Sequence, residues 1–115
     1  MLPFNGLSDY ARYLEGLYGA KSFQRKLAYL EYNFGPYLAA GQTALEIGPG
    51  LGEFCALAQG HRLGAVDIVD RDEAILRHVK SRFDVRHTWA MAAEELPSIE
   101  TRLADYDRIL MIQVL

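Results

Sequence analysis

The residues whose types and spacing most directly suggest chemistry are Glu46, Gly48, Gly50 and Gly52, within the segment ALEIGPGLGE at positions 44–53. A short apolar run ends in an acid and then delivers glycine at every second position. Glycine has no Cβ, so such a loop can turn tightly and let a ligand lie directly against the backbone. The acid stands near the C-terminal end of the strand, where open α/β sheets bind their ligands, and is placed to face a cation. Phosphate is a poorer match. A dinucleotide loop has glycine at its first, third and sixth positions; counting from Gly48, the sixth is Glu53, whose carboxylate opposes a pyrophosphate. No Lys-Ser or Lys-Thr follows to complete a P-loop.

A second acid belongs to the same pattern. The apolar run 63–66 ends at Asp67, and a short helical pattern with Phe54, Leu57 and Ala58 on one side separates the two runs, with Gly60 as its stop. A carboxylate at the end of the second strand can accept hydrogen bonds from both hydroxyls of a ribose cis-diol. Asp67 is the first choice for that role and Asp70 the alternative. The spacing Asp70-Arg-Asp-Glu73 also fits a capping box, with Asp70 as the cap of the next helix. That helix directs Ile75, Leu76, Val79 and Phe83 inward and Arg77, Lys80 and Arg82 outward.

The pattern E-x-G-x-G-x-G, supplied by Glu46, Gly48, Gly50 and Gly52, resembles motif I of the class I S-adenosylmethionine-dependent methyltransferases. In that family the acid lies near the ligand's amino group, often through water, while the glycine loop packs against the methionine portion. The resemblance extends to AAEELP at 92–97, similar to the segment after the third strand that meets adenine. Ala92 stands at the usual acid position, so the adenine contact would fall to backbone groups of 91–93 or to Glu94. Trp89 is either an adenine-stacking ring or part of the core. YDRILMIQVL at 106–115 resembles the fourth strand, an aromatic-Asp pair followed by a buried run; its Gln113 is either a satisfied core amide or a pocket residue. The cofactor-binding set implied by the resemblance is Glu46, Gly48, Pro49, Gly50, Gly52, Asp67, Ile68, Ala92, Glu94 and Gln113, with S-adenosylmethionine as cofactor and no metal.

The elements that must position these residues form one α/β unit with a helical preface. Residues 1–41 read as an N-terminal helical segment and a possible lid, with Tyr10, Leu14 and Leu17 on one helical stripe and Phe23, Leu27, Leu30 and Phe34 on another. Gly35-Pro36 ends or bends the second helix. Six of the seven tyrosines lie in this segment; Tyr10, Tyr13 and Tyr18 are either contacts to acceptor or cofactor, or amphipathic core and rim. Residues 42–115 read as a partial Rossmann-like, S-adenosylmethionine-binding domain, a three-layer sandwich with a mostly parallel sheet. The four strands correspond to strands 1 to 4 of the seven-strand methyltransferase fold, in spatial order 3-2-1-4. That leaves 109–115 as a nearly unbroken apolar edge. Truncation after the fourth strand is the simpler expectation, and homodimerisation through that edge the other.

Composition narrows the partners. A net charge of -3 gives no electrostatic footprint for nucleic acid. The one basic cluster, Lys21, Arg25 and Lys26, reads as a solvated helix face. Cys55 is the single cysteine, so no intrachain disulfide forms, and it reads as a small buried residue. His61, His78 and His87 lack metal-site spacing. Without a signal peptide or long apolar span, the expectation is a cytoplasmic protein with no membrane partner.

The expected activity is methyl transfer from S-adenosylmethionine to a small-molecule or glycan acceptor. The GEF continuation, the VDIVDRD segment and the aromatic N-terminal helices look like bacterial methyltransferases of polysaccharide or secondary-metabolite pathways. The alternative is a non-catalytic binding or assembly module pairing through its C-terminal strand. A nicotinamide-dependent enzyme is a third option, opposed by Glu46 and Glu53.

Overall fold

A computed structural model describes residues 23–92, 95 and 103–111. Helix α1 covers 23–34 and passes into a 3-10 turn at Gly35–Tyr37, where Pro36 is accommodated at the start of the turn. There follow β1 (Thr43–Ile47), α2 (Glu53–Gly60), β2 (Ala65–Asp70), α3 (Glu73–Arg82), β3 (Thr88–Ala90) and β4 (Arg108–Met111). All strand pairs are parallel, in the order β3-β2-β1-β4. The expected spatial order 3-2-1-4 is therefore present, in an α/β arrangement compatible with a Rossmann-like fold. The stripe of Tyr10, Leu14 and Leu17 lies outside the described residues.

Chirality explains the layering. Right-handed crossovers from β1 to β2 and from β2 to β3 proceed in one direction and so place α2 and α3 on the same face of the sheet. There Phe54, Cys55, Leu57 and Ala58 of α2 and Ile75, Leu76 and Val79 of α3 pack with Leu30 of α1 against Ala44, Val66, Ile68 and Leu110. The opposite face carries Leu45, Ile47 and Val69, covered by Trp89, Met91, Leu103 and Tyr106. After β3 the chain returns past β1 to add β4 on the other side. Direction thus reverses between β1 and β4, the kind of switch point at which open α/β sheets form a crevice beyond the strand ends.

Two boundaries differ from the sequence expectation. β2 does not stop at Asp67 but runs on to Asp70, because Asp67 finds partners inside the protein and the strand can continue through it. The cap of α3 is Asp72 rather than Asp70: its side chain accepts the N–H of Ala74. Asp70 instead accepts the N–H of Asp72 and shapes the turn between strand and helix. Lys80 and Arg82 in the last turn of α3 complement its dipole. α2 ends at Gly60, as expected, but the left-handed residue beyond it is Arg62, at φ 60°.

β4 has one strand neighbour among the described residues, β1. Leu110 is buried toward the helices, while Ile109 and Met111 on the other face are 48% and 56% exposed. The entrance to this strand is fixed by Asp107, whose Oδ2 accepts the N–H of Thr43 at the start of β1. Arg108 Nε adds a bond to the carbonyl of Tyr37.

The end of α3 is seated on the glycine loop. Phe83 lies against Gly52, which has φ +95°, and a Cβ at Gly52 would overlap its ring. Gly52→Ala is therefore expected to cost roughly 2–4 kcal/mol in urea unfolding, from left-handed strain plus overpacking. The Phe83→Leu background should recover part of that loss; an unchanged penalty there would assign all of it to the backbone.

Candidate functional site

β1 is buried on both faces, as the strands of a covered parallel sheet are, yet it carries Glu46 in its interior. The carboxylate points to the helix side, one residue before the strand gives way to Gly48. Three left-handed glycines then turn the chain: Gly48 at φ 75°, Gly50 at 58° and Gly52 at 95°. The Gly48 N–H is tied to the carbonyl of Val69 in β2, and the Gly52 N–H closes on the carbonyl of Pro49, which is fully buried. The expectation that all three glycines clear space for a ligand needs one correction. At Gly52 the space is filled by Phe83, so this glycine serves helix packing.

Glu46 is 3% exposed, and its Oε1 has no hydrogen-bond partner. Glu53, at the start of α2, is also buried, and its Oε1 likewise lacks a hydrogen-bond donor. The nearest charge complement is Lys26 of α1, whose Nζ lies 3.6 Å from Glu53 Oε1, an ion pair just beyond hydrogen-bond reach. Burial pushes the Glu46 carboxyl up to about 8; Lys26 opposes that shift and Glu53 adds to it. The same burial, with Glu46 and Glu53 nearby, drives the Cys55 thiol far up, so this cysteine is an inert core residue. A buried carboxylate with unmet accepting capacity costs stability unless something donates to it. Beside the glycine loop, two buried carboxyl groups thus keep accepting capacity that no hydrogen bond fills.

Lys26 is part of this site although the sequence reading placed it with Lys21 and Arg25 on a solvated face. Arg25 is exposed, whereas the Lys26 side chain is only 21% exposed, and Lys21 lies outside the described residues. The available signal was its i,i+4 spacing to Leu30, which is fully buried.

Asp67 is not at the site. It is 0% exposed, on the face opposite the helices, and its carboxylate is fully engaged. Arg86 donates through Nε to Oδ1 at 3.1 Å and through a terminal nitrogen to Oδ2 at 2.8 Å; the His87 N–H and the Tyr106 hydroxyl donate the other two bonds. Burial raises its pKa, but the bonds from Arg86, Tyr106 and the His87 amide outweigh that and hold the carboxyl below its usual range. No accepting capacity is left for a ribose. Ile68 is likewise a core residue against the helices. Asp70, three residues on, is partly exposed at the carboxyl end of β2, and burial raises its pKa against the N–H of Asp72.

Beyond β3, the Met91 N–H bonds to the Asp70 carbonyl, which brings Ala92 close to that acid. The amide of Ala92 faces Glu95 Oε1 at 3.5 Å, so the side chain folding back here is Glu95; Glu94 lies outside the described residues. Trp89 packs against Leu45, Ile47 and Val69 and beside the His87 ring. Gln113, Tyr10, Tyr13 and Tyr18 also lie outside the described residues. Among the described residues no group of three or more His, Cys, Asp or Glu could hold a metal, and no helix is long and apolar enough to cross a membrane. No protein-family model matches the chain, and no curated protein matches it.

Two measurements separate the two buried carboxylates. The Glu46 pKa is about 8 in the fold against 4.5 when unperturbed, so its contribution to stability is complete below about pH 4.5 and is lost as pH rises to about 8. Glu46→Gln should flatten this decline and raise stability at pH 8 by on the order of 3–5 kcal/mol in urea titrations. An unaltered pH profile would mean that Glu46 is solvated. Asp67 has the opposite sign, with stability present above its unfolded pKa and lost on acidification. Tyr106→Phe should cost about 1.5–3 kcal/mol at neutral pH.

Proposed function

We propose that this chain binds S-adenosylmethionine and serves methyl transfer to a small-molecule or glycan acceptor, as the cofactor-binding part of a seven-stranded class I methyltransferase fold. The observation that carries the reading is Glu46, a buried carboxyl whose Oε1 has no hydrogen-bond partner, near the end of β1 and two residues before Gly48. Together with Glu53 it favours an ammonium and disfavours a pyrophosphate, which argues against a nicotinamide dinucleotide.

In this reading Gly48, Pro49 and Gly50 form the wall against the methionine portion, and Glu46 accepts from its amino group. Asp70 takes the ribose hydroxyls in place of Asp67, because Asp70 stands at the strand end with solvent access. The segment at Met91 and Ala92, bonded to Asp70, meets the adenine side. When bound, S-adenosylmethionine supplies a methyl group on a positively charged sulfur. The protein's part is to hold that group in line with the acceptor and exclude water, and alignment of this kind is worth roughly 7–11 kcal/mol of barrier.

A second reading, a non-catalytic assembly module, is favoured by β4, where Ile109 and Met111 stand about half exposed beside an edge without a second strand neighbour among the described residues. Calorimetric titration with S-adenosylhomocysteine, paired with light scattering, distinguishes the two. Saturable binding is expected, weakened about tenfold or more in Glu46→Gln, which keeps the shape but cannot balance an ammonium charge. Gly50→Val should abolish it through left-handed strain at φ +58° and added bulk beside the site. A folded wild-type protein that forms a defined dimer and ignores the ligand would sink the methyltransferase reading in favour of assembly.

A further inference from the structure

The charges around the glycine loop are more specific than a cation site requires. An ammonium ligand needs only carboxylates, yet α1 brings a lysine into the same space. Were a Cβ present at Gly50, it would lie 3.7 Å from Lys26 Nζ and 3.4 Å from Glu53 Oε1. Lys26 and Glu53 both act electrostatically on Glu46, whose Oε1 has no donor. Opposite charges at such short range, on different elements and against a bare backbone turn, match a ligand that itself carries opposite charges one carbon apart. The α-amino acid head group is that ligand.

We propose that Lys26 is a further binding residue, receiving the carboxylate of an α-amino acid head group whose ammonium is received by Glu46; this rests on the cofactor reading above. Glu53 holds Lys26 in the meantime. At 3.6 Å that pair is too long for a hydrogen bond, so a ligand carboxylate that reaches Lys26 at hydrogen-bond distance competes with Glu53 for it. The exchange leaves Glu53 available as a second acceptor for the ammonium. It also makes α1, rather than the sheet, responsible for reading the carboxylate, so the helix is held over the loop when the ligand is complete.

The experiment compares S-adenosylhomocysteine with its decarboxylated analogue, in which an aminopropyl group replaces the amino acid, on the wild-type protein and on Lys26→Met and Lys26→Gln, with circular dichroism to confirm folding. The wild-type protein should prefer the carboxylate-bearing ligand by about tenfold or more, the factor for one charge-assisted hydrogen bond. Both variants should lose that preference. Their affinity for the decarboxylated analogue should stay level or rise, since removing a cation beside two carboxylates favours a cationic ligand. Equal weakening of both ligands, or no weakening of either, overturns the role of Lys26 while the cofactor reading stands. A wild-type protein that binds neither ligand overturns both. Should the variants unfold, the wild-type preference alone decides: a ratio near one rejects the proposal.

Discussion

Asp67 is closed to water and gathers three segments that the chain delivers from far apart: β2, the approach to β3 through Arg86 and His87, and the approach to β4 through Tyr106. A carboxylate in that position is tolerable only when its lone pairs are filled, and here four donors fill them. The strands cannot shift relative to one another without leaving a buried charge uncompensated. The Asp107 clip to Thr43 works beside it, so that both polar links belong to the segment entering β4.

Glu46 is the counterpart on the opposite face. Both acids are nearly inaccessible and lie on neighbouring central strands, yet burial drives one pKa up to about 8 while hydrogen bonds hold the other down. The difference lies in donors rather than depth. Where the fold needs a carboxylate it surrounds it with N–H and O–H groups; beside the glycine turn it leaves one without a hydrogen-bond donor, and a lysine of α1 stands near. Unmet polarity of this sort reduces stability locally, a pattern that belongs to binding sites.

Much of this was legible in the residues. The order 3-2-1-4 came with the fold that the family resemblance implied, and the alternating glycines after an acid located the loop. What escaped depended on partners distant in sequence. Asp67 looked like a strand terminus because nothing local announces that Arg86 and Tyr106 will enclose it. Gly52 looked like a ligand-facing glycine because Phe83, which occupies its space, arrives only after β2 and α3. Lys26 was hidden by company: grouped by charge with Lys21 and Arg25 it belongs outside, whereas grouped by helical spacing with Leu30 it turns inward.

The seat of Phe83 on Gly52 joins two parts of the molecule that have no strand hydrogen bonds in common. Pulling the loop away from β2 uncovers an aromatic ring, and freeing the end of α3 removes the floor of the loop. Local opening here is therefore a single cooperative event, in which the amides of the turn and of the last turn of α3 become exchangeable together. The turn is thus clamped from two sides, by the Phe83 ring beneath Gly52 and by the Gly48 N–H bonded to β2, and a ligand meets it as a fixed anvil.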